Sequence, residues 1–425
     1  MRALICLILS LIFFTAHTET SGSTIRPCKK RQLKLMTNSK RILEEISSKH
    51  NLEILKKSLR PKFKITKTAL LGLESYIYLF GKMQKIDSIE IIDGNIVVCD
   101  ATFSDGTIQF NFVWEKKKKK PQISYFYIRA VLINKKNEYS NYVDKLKKSI
   151  NGKIGAMKTV CSWTYYGSIT GTANRSLALR WYKLVAESGD PEAMRIYGSN
   201  LYSGKFITTD KDKAMEYIKK SAEKGDTEAH VLLGIAFKNE LKFKESFRYF
   251  MKAAQKGDPY SECSIAYYYS LGAGVRQDKV KAEIWARKAV NQNYVPAMNL
   301  LAYILAQNEN FCNEALRLIR EALKDQPDRA SYLDTYGFIL FKQKKYKEAL
   351  IQLLKAEKLS PDHPENIAHI GDVYFALHQT NAASKAWEKA LELVQKNSEL
   401  PENYRKQLIK GLKTKLKILE AVRTK

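Results

Sequence analysis

The sequence predicts an α+β amino-terminal domain followed by an all-α superhelical solenoid of helical hairpins. Three observations carry this. A short motif built on Gly-Asp returns through the middle of the chain at spacings of 36, 32 and 36 residues. Beyond it, Pro-Asp pairs and small residues recur every 34 residues. Ahead of both lies a stretch of β-branched and aromatic runs with two Asp-Gly turns. Periods of 20–50 residues are the mark of repeat architectures, and Asp-Gly between apolar runs is the mark of hairpins.

The chain opens with Met1-Arg2 and an apolar run from Ala3 to Ala16, followed by small and polar residues up to Gly22. That run is too short to span a bilayer and has the flanks of a cleaved secretory signal. Residues 1–22 are therefore expected to direct export. The mature chain has no further segment of spanning length, and an uncleaved amino-terminal anchor is the other reading. Export also permits disulfides; five cysteines remain after cleavage, and Cys28 with Cys99 is the one pairing worth testing. Cys161 and Cys263 fall at or beside small packing positions and are expected as buried thiols.

Residues 23–152 form the expected α+β domain. Ile42, Ile46, Leu52, Leu55 and Leu59 have helical spacing up to Pro61, and a second helix fits Thr68 to Met83. Strands are expected over Ile89–Ile92, Ile96–Phe103, Ile108–Trp114 and Ile123–Val131, with reversals at Asp93-Gly94 and Asp105-Gly106. Helices on one face of a four-strand meander make an α+β layer. The element order and the Leu79-Phe80-Gly81-Lys82 stretch resemble nuclear-transport-factor-like (cystatin-like) domains, a resemblance that implies a ligand-holding cone or a docking module.

Repeats occupy residues 153–397. Ser188-Gly189-Asp190-Pro191-Glu192-Ala193 returns as Lys224-Gly225-Asp226-Thr227-Glu228-Ala229 and Lys256-Gly257-Asp258-Pro259-Tyr260-Ser261, with a weaker copy at Gln292–Ala297. Small residues stand before each copy (Ala178, Ala214, Ser246, Ala282) and after it (Gly198, Gly234, Ala266, Ala302), and aromatics fill a third slot (Trp181, Tyr217, Tyr249, Trp285). Small residues let two antiparallel helices approach; Gly supplies the left-handed end of one helix and Asp caps the next. A degenerate copy begins near Lys153. Ser246, Val290 and the 32-residue spacing depart from the pattern. From Pro327 onward the period of 34 is marked by Gly337, Ala349, Ala356 and Pro361. On these residues, 153–293 resembles Sel1-like repeats and 294–397 resembles tetratricopeptide repeats, which implies stacked hairpins with a concave groove. Residues 398–425 are expected to be a solvent-facing capping helix.

The formal charge is +28. Residues 23–152 hold 27 Lys+Arg against 12 Asp+Glu, while 153–425 hold 44 against 31. Positive charge invites an anionic partner, yet export separates the chain from nucleic acid, and no nucleic-acid partner is expected. The charge concentrates in the front domain, where Lys116, Lys117, Lys118, Lys119 and Lys120 run together before Pro121. They fit either a solvated hairpin tip or a contact with an anionic surface.

No phosphate-binding glycine loop, zinc-protease, nucleophile-elbow or CxxC motif is present. His363, His369 and His378 are spread over one hairpin and read as surface or capping residues. No catalytic residue, metal ligand or cofactor is expected, and the chain is not expected to be an enzyme. The resemblance places partner contacts on the first helix of each hairpin, shortly after the small packing residue. It nominates Tyr202, Tyr267, Phe338 and Phe341 as apolar contacts, with Arg195, Asp334 and Asp372 as charged ones. The implied function is an exported adaptor of a bacterial envelope or host-interaction setting that binds a protein partner. The alternative is small-ligand or anionic-surface binding by the front domain, with the repeats as its scaffold.

Overall fold

The structure is a computed structural model. It describes residues 151–168 and 173–423 throughout, the backbone of four strands between 83 and 133, and scattered helical residues between 37 and 149. The expected signal (1–22), Cys28, Lys116–Lys120 and most of the two expected front helices lie outside the described residues.

β1 (Met83–Ile92), β2 (Ile96–Phe103), β3 (Gly106–Trp114) and β4 (Ile123–Ile133) form an antiparallel meander in the order β1-β2-β3-β4. Ile92 pairs with Ile96 and Phe103 with Gly106, so both Asp-Gly sites fall at chain reversals. β1 starts at Met83, six residues before the expected Ile89, and its pairing with β2 is irregular between Met83 and Ser88. That irregular half carries the polar residues Gln84, Lys85, Asp87 and Ser88, which hid it from an apolar-run criterion.

Two compact units divide the chain at Tyr217/Ile218. The first contains the sheet and the helices α1 (Ile154–Tyr166), α2 (Arg175–Glu187), α3 (Pro191–Ser203) and the start of α4 (Lys211–Glu223). Leu177, Ala178, Trp181 and Val185 bury one face of α2. The fully buried Trp181 donates its indole N–H to Ser75 Oγ at 2.8 Å, which fastens the front of the chain to the first hairpin.

The second unit holds five hairpins. They are α5 (Thr227–Asn239) with α6 (Phe243–Ala254), α7 (Pro259–Leu271) with α8 (Lys279–Asn291), and α9 (Val295–Ala306) with α10 (Cys312–Asp325). Then come α11 (Ala330–Lys342) with α12 (Tyr346–Leu359), α13 (Pro364–Ala376) with α14 (Thr380–Lys396), and a final helix α15 (Glu402–Arg423). Each hairpin buries its apolar face against the next within this unit. Arg287 on α8 adds a bridge between hairpins, reaching Glu314 on α10 at 2.7 Å and 3.2 Å.

The repeat motif does what its residues dictate. Gly189, Gly225, Gly257 and Asn293 all take positive φ, between 59° and 96°. Asp190, Asp226 and Asp258 accept from the N–H groups of Ala193, Ala229 and Ser261 at 2.7–2.9 Å, satisfying helix N-termini. At the small slots, a Cβ on Gly234 would lie 2.6 Å from the Phe250 ring and one on Gly337 2.6 Å from Leu353 Cγ.

Both departures in the second Sel1-like copy have a local cause. Helices α5 and α6 are joined by residues 240–242 alone, with Leu241 at φ 58°, whereas α7 and α8 are joined by 272–278. The four residues missing from the short repeat come out of that turn. Ser246 replaces Ala where a hydroxyl has work: it donates to Gly234 O at 2.6 Å and meets the Tyr268 hydroxyl at 2.6 Å, giving a buried phenol its partner.

Candidate functional groove

The second unit carries a cavity of about 420 Å³ along the first helices of its hairpins. Tyr267 and Tyr268 line it from α7, Asn299 and Tyr303 from α9, Asp334 from α11, Glu365 from α13 and Tyr404 from α15. Its walls are thus phenol rings interspersed with a few polar groups. Tyrosine combines large contact area with a hydrogen-bonding tip and little conformational freedom to lose, which suits it to recognition surfaces.

Three phenols gather around one carboxylate. The Tyr404 hydroxyl donates to Glu365 Oε1. Burial, with the Glu365 charge next, pushes both the Tyr404 and Tyr303 phenols well above the ordinary tyrosine range. Both stay protonated, and Tyr404 acts as a donor. Asn299 turns its side-chain carbonyl into buried space where no donor meets it.

Beside this cluster the carboxylate of Asp334 takes His369 Nδ1 at 2.8 Å, and the pair is 11% and 13% exposed. Burial works against a charge on His369, but Asp334, then Asp372 and Glu365, raise its pKa above the usual histidine value. Phe338 stacks on the His369 ring, centroids 4.7 Å apart. Asp372 accepts from Lys415 Nζ at 2.6 and 2.7 Å and from the Trp387 indole at 3.0 Å. Glu365, His369 and Asp372 follow a 4, 3 spacing and so run along one face of α13.

The nominated residues sort into three groups. Tyr267, 40% exposed, and Asp334 line the cavity together, whereas Asp372 on α13 lies outside that lining and is held by Lys415 and Trp387. Phe338 belongs to the core instead, packed between Tyr303 and His369, and Phe341 is half-buried against Tyr346. Neighbouring helices thus cover Phe338, while Phe341 keeps part of its surface exposed. Arg195 and Tyr202 sit on α3 in the first unit, Tyr202 beneath Lys211 Nζ at 5.7 Å.

His369 is a buried partner of Asp334 and not a surface residue, and His363 caps α13 by accepting from Asn366 N–H at 3.4 Å. Among the described residues no cluster of three or more His, Cys, Asp or Glu is placed to hold a metal. Tyr303 and Asn299 went unnominated although the repeat marks them. Tyr303 follows Ala302 as Tyr267 follows Ala266, and Asn299 precedes Ala302 by the three residues that separate Asp334 from Gly337.

A scan for family models matches the Sel1 repeat over 160–190, 191–226, 233–258 and 259–294. Residues 160–294 are a run of Sel1 repeats. The Sel1 run therefore covers α2 to α8, and its last match supplies Tyr267 and Tyr268 to the groove.

The chain also resembles a TPR repeat-containing protein of Pseudomonas aeruginosa, 34% identical over 26% of this chain and 19% of that protein. An uncharacterized protein of Neisseria meningitidis is 26% identical over 45% of this chain and 40% of its own length. An alginate biosynthesis protein of Azotobacter vinelandii is 31% identical over 28% and 26%. The chain thus spans less than half the length of each of these relatives. Among solved structures, a protective antigen of uropathogenic Escherichia coli covers 64% of this chain and 74% of its own at 17% identity, with a TM-score of 0.42. A Sel1 repeat protein from Oxalobacter formigenes covers 44% and 81% at 21% identity, with a TM-score of 0.40. Among the described residues no helix is long and apolar enough to cross a membrane.

Proposed function

We propose that this chain is an exported, non-enzymatic adaptor that holds a protein partner in the groove of residues 218–425. The observation that carries this reading is the cavity walled by Tyr267, Tyr268, Tyr303 and Tyr404, with Asn299 offering an unpaired buried acceptor. An incoming backbone N–H supplies the missing donor, and the phenol rings bury the partner's apolar side chains. Helical repeats suit this role because each hairpin adds contact surface without changing the fold. The export reading rests on the basic start and short apolar run of residues 1–22.

A photo-crosslinking amino acid at Tyr267 in the full chain, compared with the same group at Lys324 on the outer helix α10, tests the groove. Lys324 has a side chain 74% exposed. The expected result is an intermolecular adduct with one discrete protein from position 267 and none from 324. Adducts from 324 alone, or from neither position, would remove the groove from the function.

A further inference from the structure

The final helix is more than a cap. Its second half behaves as one: Leu412 and Leu419 are buried against Ile367, Trp387 and Val394 of the last hairpin. The approach to the helix and its first turns go elsewhere. Leu400, Tyr404 and Leu408 stand at four-residue intervals; Tyr404 belongs to the buried cluster of Phe250, Ile265, Tyr268 and Leu271 near the start of the same unit, and Leu400 and Leu408 pack against that cluster. Leu400 and Leu408 also touch the cluster of the last hairpin. One short segment therefore touches both clusters, and its Tyr404 enters the lining of the cavity.

Polar contacts match the apolar ones. Residues 402–423 hold seven Lys+Arg against two Glu, while the cavity is lined by Asp334 and Glu365, and Asp372 stands on the same helix as Glu365. Tyr404 donates to Glu365 and Lys415 grips both oxygens of Asp372, so the helix meets both carboxylates of the row on α13. Aliphatic residues on either side of a tyrosine, with a lysine three helical turns after it, make up the surface that this groove accepts.

We propose that residues 400–415 are a resident ligand of the groove, and that the partner presents a basic amphipathic helix of the same pattern and takes their place. This deepens the groove-binding reading and rests on it. A tethered segment competes at an effective concentration in the millimolar range, so it suppresses weak binders and admits only a partner that matches it better. The contact is partly ionic, and salt loosens it.

The test uses the full chain and a fluorescent synthetic peptide of residues 398–423. In the variant Leu400→Ser/Tyr404→Ala/Leu408→Ser, hydrogen exchange at 400–408 reports release of the segment. The peptide is expected to bind that variant at least about tenfold more tightly than the unaltered chain, since the internal competitor is gone. Adding Asp372→Lys to the released variant is expected to weaken binding, and a peptide with Lys415→Asp to recover it. Equal binding to released and unaltered chains overturns the proposal, as does no binding to a chain whose segment exchanges freely. Should the triple variant unfold, Lys415→Glu alone, which removes no core side chain, is expected to raise peptide binding by a smaller factor; no change there also overturns it. A failed peptide test beside a positive crosslink at Tyr267 leaves the groove in use by a partner of another kind. Failure of the crosslink rejects the groove itself.

Discussion

An added Cβ at Gly371 would stand 2.4 Å from Trp387 Cδ1 and 2.5 Å from its Nε1, and the same atom at Gly411 on the exposed face of α15 would meet nothing within 4 Å. Trp387 cannot yield, because its indole donates to Asp372. Gly371→Ala is therefore expected to lower stability by about 1–3 kcal/mol, as overpacking does. Gly411→Ala is expected to raise it by up to about 1 kcal/mol through helix propensity alone. Denaturant midpoints of both variants check this, and a shift of the same sign in both would refute the packing account.

His369 gives a second residue-scale prediction. Asp334 on α11, Glu365 and Asp372 on α13 and the Tyr303 ring on α9 face it, and the carboxylates hold its pKa above the usual histidine value of about 6.5. A raised folded-state pKa means that the stabilisation is complete below the unfolded value and fades as pH rises through the folded one. His369→Gln is expected to cost more stability at pH 6 than at pH 8.5. An equal loss at both values would show that the ring acts through packing on Phe338 alone.

At the scale of elements, the boundaries between hairpins were legible because each is a chemical necessity. Gly189, Gly225 and Gly257 take positive φ, and the Asp after each caps the following helix. Asp226→Ala is expected to cost about 1 kcal/mol, read from thermal unfolding, with Asp226→Asn costing far less. The turns inside hairpins were less legible. Leu241, Lys344 and His378 take left-handed conformations with no glycine to announce them, because a three-residue connection between antiparallel helices forces that geometry on whichever residue is there. The start of β1 was hidden for the opposite reason: polar residues pair by backbone there, and pairing leaves no apolar signature.

At the scale of the molecule, the sequence marks α15 as amphipathic, and periodicity tells which face is apolar but not which distant surface covers it. A capping helix and a groove-filling one carry the same pattern; only the fold separates them. The difference has a mechanical consequence. In a repeat array each hairpin contacts its neighbours, so stability is nearly a sum of local terms. Leu400, Tyr404 and Leu408 break that rule within residues 218–425 by joining the cluster of Phe250 and Tyr268 to that of Ile367 and Trp387. Disturbing the tail is then expected to loosen both ends together. In the full chain carrying Tyr404→Ala and Leu408→Ser, native-state hydrogen exchange is expected to quicken in peptides covering 260–271 as well as 365–376. Quickening confined to 364–396 would reduce the tail to a local cap, because a nearest-neighbour array transmits a terminal defect only to the hairpin beside it.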